Sequence, residues 1–244
     1  MSALGHFLED EGLATTGVSL IRMHAEKIKP PRSVWVPFEL GRPLGAPNNP
    51  LLQRQVLERV LSLLESDDGP TVLVDFEYDG DVAERDSTWR APWETYQPID
   101  LADGAAALNA LQSEISALEP LYAGAVADKG RTTVGTSKLD MSTVAAHIVS
   151  FLGGPHENSP REDLSAAMTL RFGADDLKAY YMEAAAHGGH PSSWQLGEWF
   201  WRHTVAAQIF VDLRRQGLET EDRRFKIVGS SGLVPRDWVE ALGL

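Results

Sequence analysis

ATTGVSLI at residues 14–21, SVWVPF at 33–38 and TVLVDFE at 71–77 are three short apolar runs that decide the fold. Their β-branched content and the Gly, Pro and Asp residues around them predict β-strands. Helices are predicted between the strands, a short one over 22–28 and an amphipathic one from Pro50. The order strand, helix, strand, helix, strand predicts a parallel sheet with covering helices.

The helix predicted from Pro50 has the sequence LLQRQVLERVLSLLE. Proline is well placed at a first helical position. Helical spacing puts one apolar face on Leu52, Val56, Val60, Leu63 and Leu64. The strands are continuously apolar, which is typical of strands buried on both faces. We therefore expect an α/β fold, a small parallel three-layer portion followed by a mainly helical C-terminal region.

Changes in composition and periodicity along the chain predict three regions: an α/β portion over 1–78, a linker or lid over 79–99, and a mainly helical region over 100–244. The middle segment is polar, with no periodicity, and is either a surface loop pinned by Trp89 and Trp93 or a substrate lid. Helices are expected at 2–11, 103–128 with a break or kink near Pro120, Met141–Leu152, 174–187, and 192–216.

Local signals set the expected helix ends. Asp175 and Asp176 are expected near the positive N-terminus of the 174–187 helix. Ser192 and Gln195 match a capping box for the next helix, and Gly217 is expected to stop it. The tail from residue 225 is expected to add a strand and a closing turn of helix.

Composition limits the classes of function. The net charge of −13 argues against nucleic acid and against an anionic membrane surface as partners. No apolar run approaches the roughly 20 residues of a membrane span. The acidic first residues do not resemble a signal peptide, so the sequence predicts a cytoplasmic protein. The absence of cysteine excludes thiol, disulfide and iron–sulfur chemistry within this chain.

ATTGVSLI, PPRSVWVPFELGRPLGAPNNP and the helix LLQRQVLERVLSLLE together resemble a known family. The order is a short strand, a strand containing Arg32 that ends in Pro37, a loop at 43–47, then the helix from Pro50. It is similar to the C-terminal part of the glycine/sarcosine/betaine reductase B subunit and of the proline reductase selenoprotein. The resemblance covers residues 9–66.

The resemblance implies a reductase-related subunit that works in a complex on a small amino-acid-like or carboxylate substrate. In that family the reactive selenocysteine or cysteine lies upstream of the matching segment, so no catalytic residue is carried over. Three explanations stay open: a non-catalytic homologue, a partner chain that supplies the missing half, or a start codon assigned too late. A three-stranded sheet with open edges also predicts a protein partner or a homo-oligomer.

The loop at 40–50 is the first candidate ligand site, because ligands of open α/β sheets bind at the carboxyl ends of the strands. Arg42 is suited to a carboxylate or phosphate, and Asn48 and Asn49 could supply amide contacts. The same residues are also ordinary turn formers. No G-x-G-x-x-G or Walker A pattern supports a nucleotide cofactor.

A metal ion is the second candidate ligand. Glu183 and His187 share a helix face and His190 follows, while Glu198 and His203 lie on the next helix. This group predicts either a metal site at Glu183, His187 and His190, or a histidine that interacts with a helix C-terminus. It would serve a stand-alone enzyme of different chemistry; a non-catalytic interaction protein is the other alternative.

Aromatic residues are concentrated in the 192–216 helix, at Trp194, Trp199, Phe200 and Trp201. Packing is the first interpretation of this run, since Trp199 or Phe200 falls on the broad apolar surface of the helix. Three tryptophans in eight residues are more than one helix face needs, so some are expected to face a pocket or another subunit.

Overall fold

The structure, a computed structural model, describes residues 2–66, 68–69, 71–79 and 87–244. The chain divides into two compact units, Met1–Glu84 and Arg85–Leu244, each described here by itself. Of the segment predicted as a linker or lid, residues 80–86 lie outside the described residues. None of the helices in the described part of the chain has the length and apolar content that a membrane crossing requires.

The N-terminal unit is a three-stranded parallel sheet with helices between the strands, which confirms the predicted α/β layout. Its elements are α1 (Ser2–Asp10), β1 (Gly17–Ser19), α2 (Arg22–Ile28), β2 (Arg32–Trp35), α3 (Pro50–Ser62) and β3 (Val72–Asp75). The strand order is β1-β2-β3, so among the described residues β1 and β3 are the edge strands.

The sheet is covered on both faces. Val34 and Val36 pack against the buried face of α3. Because side chains alternate along a strand, Asp75 lies on the face opposite to Val74, which belongs to that core. Arg22 of α2 reaches Asp75 there, with 3.0 Å between Nε and Oδ1. Helices α3 and α2 therefore form the two outer layers.

The start of α3 follows the sequence signals. Pro50 occupies the first turn, and the Asn49 Oδ1 accepts a hydrogen bond from the Leu52 N–H at 3.1 Å. Of the five residues predicted for the apolar face, four are buried: Leu52, Val56, Val60 and Leu63. Leu64 is 40% exposed, because a turn of 3-10 helix at Leu63–Glu65 replaces the α-helix there.

The C-terminal unit is helical, as predicted for the region after the sheet. Its helices are α4 (Gly104–Lys129), α5 (Met141–Ser150), α6 (Ala166–Ala185), α7 (Ser193–His203), α8 (Val205–Glu219), α9 (Arg223–Ser231) and α10 (Arg236–Leu242). A turn of 3-10 helix at Phe151–Gly153 follows α5. One apolar core joins these helices, and Trp199, Phe200 and Trp201 are buried in it. Their interpretation as packing residues is confirmed.

The prediction for α6 was wrong at its N-terminus. The helix begins at Ala166, because the Ser165 side chain caps it by accepting from the Met168 N–H. Asp175 and Asp176 therefore lie in the middle of α6 and do not interact with its N-terminus. Helix α4 continues through Pro120, so the predicted break does not occur, while a kink there stays a prediction.

The single helix predicted over 192–216 is two helices. The capping box of Ser192 and Gln195 is confirmed at the start of α7. The chain then leaves the helix at Thr204, whose Oγ1 donates to the Phe200 carbonyl and accepts from the Ala207 N–H to cap α8. Gly217 lies inside α8, so its predicted role as a stop was wrong. The tail forms α9 and α10, so the predicted strand was wrong as well.

Candidate functional site

The loop after β2 contains the predicted ligand-binding residues. The Arg42 Nη1 lies 3.9 Å from the Glu39 carboxylate, so the guanidinium group has an ion-pair partner within the loop. Asn49 caps α3, and exposed Asn48 has a left-handed backbone with φ of 59°. The structure thus gives Asn49 a structural role. Ligand binding by Arg42 and Asn48 stays a prediction.

A cleft of about 740 Å³ lies along β3, one of the two edge strands among the described residues. Residues 73–77 line it in unbroken succession, with Arg22 and Arg59 at its sides. Alternate residues of a strand point to opposite faces, so a cleft lined by five consecutive residues follows the free edge of the strand. Arg22 belongs to the α2 layer and Arg59 to the α3 layer, so a guanidinium group flanks the edge on each face.

The free edge presents unpaired backbone groups. The Val72 N–H donates to the Pro31 carbonyl at 2.9 Å and the Phe76 N–H to the Trp35 carbonyl at 2.8 Å. Successive N–H groups along a strand point in alternate directions, so the N–H groups of Leu73 and Asp75 point away from β2. No backbone carbonyl in the described part of the chain accepts a hydrogen bond from these two N–H groups. As far as residues 2–66, 68–69, 71–79 and 87–244 are concerned, this edge is therefore open to another strand.

The charges along this cleft are only partly paired. Arg22 bonds to Asp75 and also to Glu26, and the hydrogen bond to Asp75 raises the pKa of Arg22. Arg59 and Glu77 make no ion pair with any described residue. Among the described residues, Arg59 and Glu77 are thus a cation and a carboxylate without an ion pair beside this edge.

Glu183, the first predicted metal ligand, is occupied by hydrogen bonds from the loop after α4. Its carboxylate accepts from the Thr132 hydroxyl at 2.7 Å and from the Thr133 N–H at 2.7 Å and hydroxyl at 2.6 Å. Burial raises the pKa of the Glu183 carboxyl, but these hydrogen bonds outweigh burial and the pKa is lowered. These hydrogen bonds connect the loop after α4 to α6.

The other two predicted ligands do not join Glu183. The His187 Nδ1 lies 3.5 Å from the Asp128 carboxylate, and its ring covers Gly124 of α4. His190 lies in the turn before α7. Across residues 2–66, 68–69, 71–79 and 87–244, no three His, Asp or Glu side chains converge on a common metal position. The physical reason is that Glu183 and His187 face different partners on α4 and its loop.

A pocket of about 480 Å³ between α5 and the loop after it was not anticipated from the sequence. His147, which is 7% exposed, places its Nε2 3.0 Å from the Ala166 carbonyl. A carbonyl oxygen only accepts hydrogen bonds, so Nε2 carries the proton and Nδ1 has a free lone pair. The sequence feature that could have indicated this pocket is the three-residue spacing of His147 and Ser150, which places both on one helix face.

Ser150 and His156 form a hydrogen-bonded pair in this pocket. The Ser150 hydroxyl donates to the His147 carbonyl at 2.6 Å, so it accepts from the His156 Nε2, 2.8 Å away. The His156 Nδ1 is buried and has no partner within the described residues. In this arrangement His156 does not accept the Ser150 proton, so the pair is not set up as a nucleophile and its base.

We expect the chain to lose stability as the pH falls below 6.5, partly through His147. Burial lowers the pKa of His147 below 6.5, so the unfolded chain takes up this proton before the folded chain does. The contribution of neutral His147 is complete above pH 6.5 and decreases as the pH falls. Urea midpoints of wild type and His147→Gln should diverge over this range, and identical pH slopes would contradict the assignment.

Comparisons with family models, with curated proteins and with solved structures each gave no match.

Proposed function

We propose that this chain is a cysteine-free subunit of a small-molecule reductase assembly, in which a second polypeptide pairs with the open edge of β3. The single observation that carries the proposal is the cleft along that edge, with the free N–H groups of Leu73 and Asp75. Parallel sheets are normally buried, and a free edge is a site for strand addition. A partner strand would continue the sheet.

The reductase part of the proposal rests on the resemblance of residues 9–66. The reaction of that family uses a selenol or a thiol, and this chain contains no cysteine. In such an assembly the reactive group would belong to the second polypeptide. The subunit proposed here would contribute part of the α/β fold and the flanking Arg59, which makes no ion pair with a described residue and suits a carboxylate-bearing substrate or partner.

Exposed apolar residues of the N-terminal unit also support a partner. Leu57 and Leu61 of α3 and the adjoining Leu64 are 45%, 57% and 40% exposed. Their spacing places Leu57, Leu61 and Leu64 in one stripe along the helix axis. A contiguous apolar stripe on the outer layer is typical of a protein–protein contact.

Copurification with proline and alanine variants tests the proposal. Leu73→Pro removes the N–H that points away from β2, and proline is tolerated on an edge strand at such a position. Leu73→Ala removes most of the same side chain but keeps the N–H. From the native host, wild type and Leu73→Ala should retain a partner that contains a reactive cysteine or selenocysteine, and Leu73→Pro should lose it.

Two results would contradict the proposal. One is a stable monomer in host extracts with no partner at natural expression levels. The other is equal retention of the partner by Leu73→Pro, which would show that β3 is not the contact. Circular dichroism of both variants separates loss of binding from loss of folding.

A further inference from the structure

A second cleft, of about 410 Å³, lies in the C-terminal unit between residues 89–94 and α7. Trp89 and Trp93 line it from one side, and Trp199 of α7 lines it from the other. The two aromatic groups singled out in the sequence thus meet at one place. This cleft belongs to neither the β3 edge nor the His147 pocket.

The tryptophan walls are held in fixed orientations. The Trp89 Nε1 donates to the Ala185 carbonyl at 2.8 Å, and the Trp93 Nε1 donates to the His203 carbonyl at 2.6 Å. Trp93 and Trp199 make an edge-on contact with ring centroids 5.2 Å apart. The Trp199 Nε1 is buried and does not open to the cleft. Half-buried Trp89 and Trp93 are therefore the two walls that a ligand would contact.

The charged residues of the cleft favour a cation. Glu94 is exposed and has no ion-pair partner in the described part of the chain. Glu198 makes an ion pair with the Arg202 guanidinium at 3.9 Å, a distance at which its carboxylate accepts no hydrogen bond from Arg202. Arg90 is the one cationic residue of the lining, and its Nη1 donates to the backbone carbonyls of Ser87 and Trp89. Among the described residues, the Glu94 and Glu198 carboxylates of the lining thus accept no hydrogen bond and can accept one from a ligand.

We propose that this cleft binds a guanidinium group. A planar guanidinium stacks on indole rings and donates hydrogen bonds to carboxylates, so it matches both parts of the lining. A cation without N–H donors would give the Glu94 and Glu198 carboxylates no hydrogen bond, and an anion would be repelled by both carboxylates. The inference does not depend on the proposed reductase function, since it concerns residues of the other unit.

Nuclear magnetic resonance of the tryptophan indole N–H groups tests the site on the full chain. The probe is n-butylguanidinium, and n-butylurea is its neutral counterpart of the same shape. Butylguanidinium should shift the Trp89 and Trp93 indole signals in a saturable manner, and butylurea should not. A capped peptide with a central arginine shows whether the cleft also admits an arginine side chain of a protein or only a small free molecule.

Charge-neutralising variants test whether the carboxylates of Glu94 and Glu198 contribute to guanidinium binding. The double substitution Glu94→Gln and Glu198→Gln should weaken butylguanidinium binding about fivefold or more, in keeping with the loss of charge-assisted hydrogen bonds. Glu162→Gln removes the same charge at an exposed position outside the cleft and should leave binding unchanged. Equal binding of butylurea, equal weakening by Glu162→Gln, or no shift with the cation would each overturn the proposal.

Discussion

Substitution of Asp176 by alanine is expected to lower the free energy of unfolding of the C-terminal unit by about 1–3 kcal/mol. The Asp176 carboxylate is fully buried and accepts from the N–H groups of Gly135, Thr136 and Ser137 and from the Ser137 hydroxyl, at 2.6–2.9 Å. Without it, the N–H and hydroxyl groups of buried Ser137 lose their acceptor, while Gly135 and Thr136 are exposed and water can reach their N–H groups. Urea denaturation followed by circular dichroism measures the change.

Asp176→Asn is the matched control, because it keeps the shape of the side chain and one acceptor oxygen. It should lose less stability than Asp176→Ala. Burial raises the pKa of the Asp176 carboxyl, but the hydrogen bonds outweigh burial and lower it. The stabilisation by the carboxylate should thus be present above pH 3.8 and fall as the pH drops through the folded-state pKa. A loss below about 1 kcal/mol in Asp176→Ala would show that these donors find other partners.

The second large effect is expected for Gly217→Ala, at the contact between α8 and α9. A methyl group at Gly217 would lie 2.8 Å from the Gly229 Cα and 3.3 Å from the Phe225 carbonyl oxygen. Both are backbone atoms, so the two helices would have to separate. We expect a loss of about 1–3 kcal/mol, although alanine favours an isolated helix by about 1 kcal/mol.

Gly104→Ala is the matched control for this steric argument. Gly104 is also helical, but a methyl group there would meet nothing within 4 Å. The control should be neutral or stabilising, and Gly217→Ala destabilising, in the same denaturation experiment. If both substitutions stabilised the chain, α8 and α9 would not be in close contact.

The N-terminal fold could be predicted because its signals are local. Pro50 starts α3, the apolar runs form the three strands, and α2 ends where Pro30 and Pro31 follow. Each signal acts within a few residues, and the βαβ connections then require a parallel sheet.

The features that were predicted wrongly depend on contacts distant in sequence. Ser165 caps α6, but as a single serine it indicates a helix start less clearly in the sequence than the two acids at 175 and 176. The sequence also does not show that Asp176 accepts hydrogen bonds from the loop at 135–137, because that loop is distant along the chain. Gly217 was predicted to end a helix because glycine commonly does so. The sequence around it does not show that the backbone of α9 packs against this glycine.

The candidate sites show the same limit. The spacing of Glu183 and His187 predicts a shared helix face, but α6 ends at Ala185, before His187, and the partners of Glu183 are two threonines 50 and 51 residues away. In the opposite case, Trp93 and Trp199 meet although more than a hundred residues separate them. Residue type indicated which side chains carry chemistry, and the tertiary fold decided which of them meet.

Hydrogen–deuterium exchange at β3 is the most direct measurement of the central claim, that a second chain continues the sheet at this edge. In the free chain, the amide N–H groups of Leu73 and Asp75 should exchange quickly, because they point away from β2. In the purified assembly they should become protected, while the Val74 N–H, which points towards β2, changes little. Fast exchange of Leu73 and Asp75 in the assembly would contradict the account.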